Sequence, residues 1–158
     1  MSPVCDVAVI PVGWDRVSDN TLAIELFEGL PPRYDVLAEV LSFAQNRRWR
    51  RELVSRLAPH YPAALLDVAT GTAGVAIALA SATEARITGV DVSEAMLERG
   101  RERVRSAGLA GRISLEPGRA EAVSYATESF DAVSFTYLLR YVADPEATLV
   151  ELARVWAE

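Results

Sequence analysis

Two carboxylates and a glycine turn carry the most explicit chemistry in this sequence. Asp67 sits near the end of the apolar run Ala64–Ala69, and Thr70-Gly71-Thr72-Ala73-Gly74 follows it. Gly71 and Gly74 let backbone approach a ligand with no Cβ in the way, and glycine enters the left-handed region without steric cost. An apolar, alanine-rich helix, Val75–Ala82, begins directly after the turn. Its amino terminus faces the same space and favours a carboxylate or phosphate. Asp91 ends a second apolar run, 24 residues after Asp67. A carboxylate there can accept both hydroxyls of a ribose, so the pair of turn and acid indicates a ribose-bearing cofactor.

The kind of cofactor follows from what the turn lacks. A dinucleotide fingerprint needs glycines at positions 71, 73 and 76, and this chain has Gly71, Ala73 and Ala76, which disfavours a nicotinamide-dependent oxidoreductase. An acid at Asp67 suits a cationic ligand better than a pyrophosphate. S-adenosylmethionine carries an ammonium, a sulfonium and a carboxylate, and can use both Asp67 and the donors of the turn. Other chemistries are excluded by composition. All 16 basic residues are arginine, which removes a Walker lysine and a Schiff-base lysine. One histidine, His60, and one cysteine, Cys5, leave no soft ligand set for a metal and one candidate base for a serine triad that has no G-x-S-x-G elbow.

The elements that must position these residues alternate. Residues Met1 to about Asn20 read as an irregular arm, followed by helical patterns at Leu22–Leu30, Val36–Ala44 and Trp49–Leu57. After Pro62 come a strand (64–69), the turn and its helix, a strand ending at Asp91, a helix capped by Ser93 that stops near Gly108, a short strand at Ile113–Glu116 and a fourth at Phe130–Phe135. Asp144 and Pro145 start a last helix as N-cap and first residue. Strands separated by such helices predict an α/β fold with a Rossmann-like parallel sheet and right-handed crossovers. Residues 1–62 form an N-terminal arm and helical cover, and 63–158 the binding core, as one structural unit. The 158 residues, 51% hydrophobic, fit a single globular domain. No apolar run reaches the length of a membrane span, no secretory signal opens the chain, and the lone cysteine fits a reducing compartment, so the expected location is cytoplasmic.

Leu66-Asp67-Val68-Ala69-Thr70-Gly71-Thr72-Ala73-Gly74 resembles motif I of class I S-adenosylmethionine-dependent methyltransferases. Gly89–Leu97 resembles their second-strand motif, and Ala120-Glu121-Ala122 and Ser129–Val133 the third and fourth. Tyr34-Asp35, Leu41-Ser42-Phe43, Arg48-Trp49-Arg50 and Leu139-Arg140-Tyr141-Val142 are similar to the ubiquinone/menaquinone C-methyltransferases. The resemblance implies a sheet ordered 3-2-1-4, with the family's later strands absent, and S-adenosylmethionine as cofactor. It implies that Asp67, Ala69, Gly71 and Thr72 line the methionine end, that Asp91 takes the ribose hydroxyls, that Met96 packs on adenine, and that Thr70, Gly74 and Val92 also bind the cofactor. Arg119 and the backbone of Ala120 would lie at the adenine edge. Arg140, Tyr141 and Tyr34 would face a small-molecule methyl acceptor, a quinol or similar aromatic compound.

Departures from the family pattern shape the remaining expectations. Ala73 replaces a glycine and adds a methyl group beside the cofactor; Arg119 replaces an aspartate that accepts from the adenine amino group; Tyr141 replaces an asparagine. The chain ends at Glu158, inside the helix after strand four by its periodicity. That leaves strand four as an edge to be covered by the Val7–Val12 run, a second copy or another chain. Two further readings stay open: a non-catalytic fragment or assembly partner, and an O- or N-methyltransferase acting on another small molecule. Arg47-Arg48-Trp49-Arg50-Arg51 reads as a solvated face flanking a buried Trp49 and not as a nucleic-acid site, because the net charge is −6 and no second basic tract accompanies it. Arg99, Arg101, Arg103 and Arg105 read as a surface ladder with Glu98 and Glu102.

Overall fold

A computed structural model describes residues 45–60, 62–136 and 138–157. Helix α1 (Gln45–Leu57) passes through a 3-10 turn (Ala58–His60) to β1 (Ala64–Val68). Then follow α2 (Gly74–Ala82), β2 (Arg86–Asp91), α3 (Glu94–Ser106), β3 (Ile113–Pro117), β4 (Ala132–Phe135), a second 3-10 turn (Leu138–Arg140) and α4 (Pro145–Val155). The arm, the two earlier helical patterns, Cys5, the Val7–Val12 run and Tyr34 lie outside the described residues.

All strand pairs are parallel, in the order β3-β2-β1-β4. This is the α/β Rossmann-like arrangement that the alternation of patterns implies. Strand β1 is central, and Leu65 to Val68 are each no more than 1% exposed. A strand covered on both faces needs a nearly unbroken apolar run, because successive side chains enter opposite layers. Leu65 joins Ile87, Leu97 and Ile113 beneath α2 and α3, where Val54 and Leu57 of α1 also pack. Leu66 and Val68 join Val90, Phe130, Leu152 and Val155 on the other face. Each fully buried leucine contributes about 1.5–3 kcal/mol.

Side chains fix the element ends. Ser93 Oγ accepts from Met96 N–H at 3.4 Å, and Asp144 Oδ1 from Ala147 N–H at 3.0 Å, which caps α3 and α4 as their sequences require. Asp131 Oδ2 accepts from Ala63 and Ala64 N–H at 2.7 and 2.8 Å, locking the start of β1 to the start of β4.

Two expectations are corrected. Helix α4 stops at Val155; Ala157 N–H donates to Phe130 O at 2.8 Å, and Phe130 and Trp156 form a parallel bridge. The chain end therefore leaves the helix and pairs beside the start of β4, because backbone groups freed there find partners in the sheet. Trp49 is 46% exposed, since the inward face of α1 is taken by Val54 and Leu57. On α3, Arg101 pairs with Glu94 at 2.5 Å and donates to Leu115 O at 3.1 Å, and Arg103 donates to Thr72 Oγ1.

Candidate functional site

Beyond Val68 the backbone enters the left-handed region three times in alternation, at Ala69 (φ 56°), Gly71 (φ 56°) and Ala73 (φ 61°). Thr70 pins the loop between them: its N–H donates to Val90 O at 3.1 Å and its hydroxyl to Asp67 Oδ2 at 2.7 Å. Only Gly71 meets open space. A Cβ built there has no atom within 4 Å, so the residue is a bare cradle at the carboxyl end of the sheet. The methyl of Ala73 points elsewhere. It is 0% exposed and packs in the core cluster with Leu65 and Leu97, so it does not crowd a ligand as its place in the motif suggests. A left-handed alanine costs roughly 1–2 kcal/mol, offset here by that burial.

Asp91 is tied directly to the cradle. Its Oδ2 accepts from Gly71 N–H at 2.7 Å and its Oδ1 from Ser93 N–H at 2.9 Å. Burial raises its pKa above the ordinary carboxylate value, opposed by the N–H donors of Ser93, Gly71 and Val92. Each oxygen keeps a lone pair beyond these bonds, enough to accept from a diol. Asp67 lies deeper, 1% exposed beneath the loop. Its oxygens accept from the Thr70 hydroxyl and, at 2.7 Å, from the hydroxyl of Ser134 on β4. Burial pushes its pKa up to about 6, against the lowering effect of those two hydroxyls. Ser134 was not singled out from the sequence; the signal is register, because Asp67 and Ser134 are paired residues of adjacent parallel strands.

The remaining site residues converge by strand order. Gly118 N–H donates to Asp91 O at 3.0 Å, which brings Arg119 and Ala120 to the carboxyl end of β2. Arg119 is exposed and lies 3.7 Å from a Glu121 carboxylate oxygen, while Ala120 is 5% exposed in the core. Val92 is half-buried, and Met96, 7% exposed, lies in the first turn of α3. The Arg140 backbone belongs to the turn after β4, and Tyr141 N–H donates to Leu138 O at 2.9 Å. Thr72 is 8% exposed and bonds Arg103, and the open side of Gly74 faces Arg50 Nη1 at 3.1 Å, so these two turn away from the bare space at Gly71. Among the described residues no cluster of three potential metal ligands occurs, and no helix is long and apolar enough to cross a membrane. A groove between α1 and α2 is lined by Arg50, Arg51, Val54, Ser55 and Ala78.

This geometry brings a part-buried carboxylate at the end of β2, a bare backbone cradle and a buried acid on β1 together at the carboxyl end of the sheet. A ubiquinone/menaquinone biosynthesis C-methyltransferase (UbiE) of Geotalea uraniireducens is 41% identical over 133 residues, 83% of this chain and 57% of the relative. A demethylmenaquinone methyltransferase of Deinococcus radiodurans is 38% identical over 146 residues, 92% of this chain and 59% of the relative. The chain thus spans somewhat more than half the length of these curated relatives. Among solved structures, the fold is shared with YcgJ of Bacillus subtilis (TM-score 0.61, 20% identity, 68% of this chain and 47% of that one). It is also shared with a SAM-dependent methyltransferase from Aquifex aeolicus (TM-score 0.54, 22% identity, 60% and 50%). Residues 16–157 match the ubiE/COQ5 methyltransferase family, and the chain belongs to that family.

Proposed function

We propose that this chain is the S-adenosylmethionine-binding part of a methyltransferase that methylates a ring carbon of a quinol or similar aromatic molecule. The observation that carries the reading is the bond between Asp91 and Gly71 N–H beside the open Gly71 cradle. Family membership and the UbiE relatives support the quinol as acceptor class. The residues fit the cofactor: a Cβ at Gly71 would fill the space it needs, and Asp91 has lone pairs for the ribose hydroxyls. Bound there, S-adenosylmethionine supplies an electrophilic methyl group.

The chain's own residues then bind, orient and exclude water. Asp91 and Val92 hold the ribose end, and Met96 supplies an apolar surface for adenine. Ala69 and Gly71 border the methionine end, with Thr70, Thr72 and Gly74 completing the turn. Asp67 offers a buried negative charge to a cationic centre. Glu121, whose carboxylate lies 3.7 Å from the Arg119 guanidinium, would supply the adenine acceptor that Arg119 lacks. An aromatic carbon becomes nucleophilic when its neighbouring hydroxyl gives up its proton to solvent, and after methylation that carbon would release its ring hydrogen to solvent as a proton. Arg140 stabilises that phenolate by charge, and Tyr141 and Tyr34 orient the ring.

Titration calorimetry with S-adenosylhomocysteine tests the reading. Micromolar binding that falls at least tenfold in D91A, with no binding of NADH, is the expected result. No heat up to millimolar ligand sinks it and favours a non-catalytic assembly partner. Product analysis showing methyl on oxygen or nitrogen would retain the cofactor and overturn the acceptor chemistry.

A further inference from the structure

We infer that Arg103 is a positioning residue that braces the cofactor loop from behind, acting through Thr72. The inference rests on the function proposed above. Arg103 Nη1 donates to Thr72 Oγ1, spanning 31 residues of sequence from α3 to the loop, and its Nη2 lies 4.0 Å from the position a Cβ on Gly74 would take. The guanidinium therefore crosses the loop from Thr72 to Gly74. One helical turn earlier, α3 touches the same loop with bare backbone. A Cβ at Gly100 would stand 3.3 Å from Thr72 C and 3.4 Å from Gly71 O, tighter than ordinary contact. Gly100 and Arg103 are three residues apart and share one helix face.

The loop is thus held from two sides. Asp91 grips Gly71 N–H at the ligand end, and Arg103 grips the Thr72 hydroxyl at the far side. The two anchors are linked through the start of α3, because its cap Ser93 donates its N–H to Asp91 Oδ1. A segment with three left-handed residues has to be ordered before it fits a ligand, and a fixed loop lowers that entropic cost of binding. The planar fork of an arginine suits the task, because its donors keep their directions while the stem packs along the helix. The sequence also marks the residue: Arg103 has no acid three or four positions away within α3, whereas Arg99, Arg101 and Arg105 each have one at three.

The test compares the full chain with R103M, R103K, T72V and R103M/T72V. S-adenosylhomocysteine affinity is read by calorimetry, and loop order by hydrogen exchange of the amides from Gly71 to Gly74. R103M and T72V should each weaken binding about tenfold, the range of one charge-assisted hydrogen bond. The double variant should be no weaker than the worse single one, R103K should recover most of the affinity, and loop amides in R103M should exchange faster while those of β1 and β2 do not change. Wild-type affinity in R103M, or losses that multiply in the double variant, overturns the inference. If the wild-type chain binds no S-adenosylhomocysteine, the proposed function fails and exchange alone decides: faster loop exchange in R103M upholds the brace, and unchanged exchange overturns it.

Discussion

Burial disfavours the ionised form of Asp67 in the folded chain. This carboxyl is buried beneath the loop with a pKa near 6, above its ordinary 3.8, mainly through desolvation. A raised carboxyl favours the folded state most below the unfolded value, and this contribution is lost as pH rises through 6. The shift of about two units corresponds to an upper bound of about 3 kcal/mol. Urea titrations should therefore find D67N as stable as wild type near pH 4 and more stable by up to ~3 kcal/mol at pH 7.5. A wild-type advantage at pH 7.5 would show that the Thr70 and Ser134 hydroxyls outweigh burial. Gly71 and Ala73 separate two roles in one turn. G71A should lose about 1–2 kcal/mol to left-handed strain and should abolish S-adenosylhomocysteine binding, since its methyl enters the open cradle. A73G should keep wild-type affinity, because the methyl it removes faces the core.

Elements place these residues, and each end of the sheet has its own acid. Asp91 stands at the carboxyl end of β2, and Asp131 stands at the amino end of β4, bonded to Ala63 and Ala64 N–H. The two should differ in ligand binding. D131A leaves two strand amides without their acceptor and should cost ~1–3 kcal/mol in denaturant titrations while ligand affinity below the melting transition is unchanged. D91A strips Gly71 and Ser93 N–H of their acceptor, so it should lower ligand affinity as well as stability. Most elements were legible beforehand because their signals are local. The Ser93 and Asp144 caps start α3 and α4 where the sequence places them, and the apolar run at Leu65–Val68 forms the central strand. The end of α4 was not legible. Leu149, Leu152 and Val155 continue a helical period, and what terminates it is a bond from Ala157 to Phe130, 27 residues away.

For the whole molecule the consequential feature is the far side of β4. Among the described residues β4 is the last strand of the sheet, and Trp156–Ala157 pairs only near its start. Trp156 Nε1 also donates to Asp131 O at 3.1 Å. Deleting residues 156–158 should cost ~1–3 kcal/mol by removing these bonds, read as a fall of several degrees in melting temperature. Sedimentation should also show stronger concentration-dependent association, because an unpaired edge templates other strands. Equal melting temperature in the deletion would mean that this pairing contributes nothing. A second copy or chain along the rest of the edge is our proposal for its cover, and the same sedimentation series measures it.

Residue type and short-range spacing determined the α/β class, the glycine turn, the acid at the end of the second strand and the absence of lysine chemistry, since periodicity, caps and composition are properties of neighbours in sequence. Folding in three dimensions decided the rest. Ser134 reaches Asp67 only because β4 lies beside β1, the Ala73 methyl enters the core only because the backbone turns left-handed there, and Arg103 meets Thr72 only because α3 packs across the loop. Each of those contacts joins positions that are distant along the chain or depends on a backbone angle that no residue name specifies, so sheet order and helix packing had to be known before they could be read.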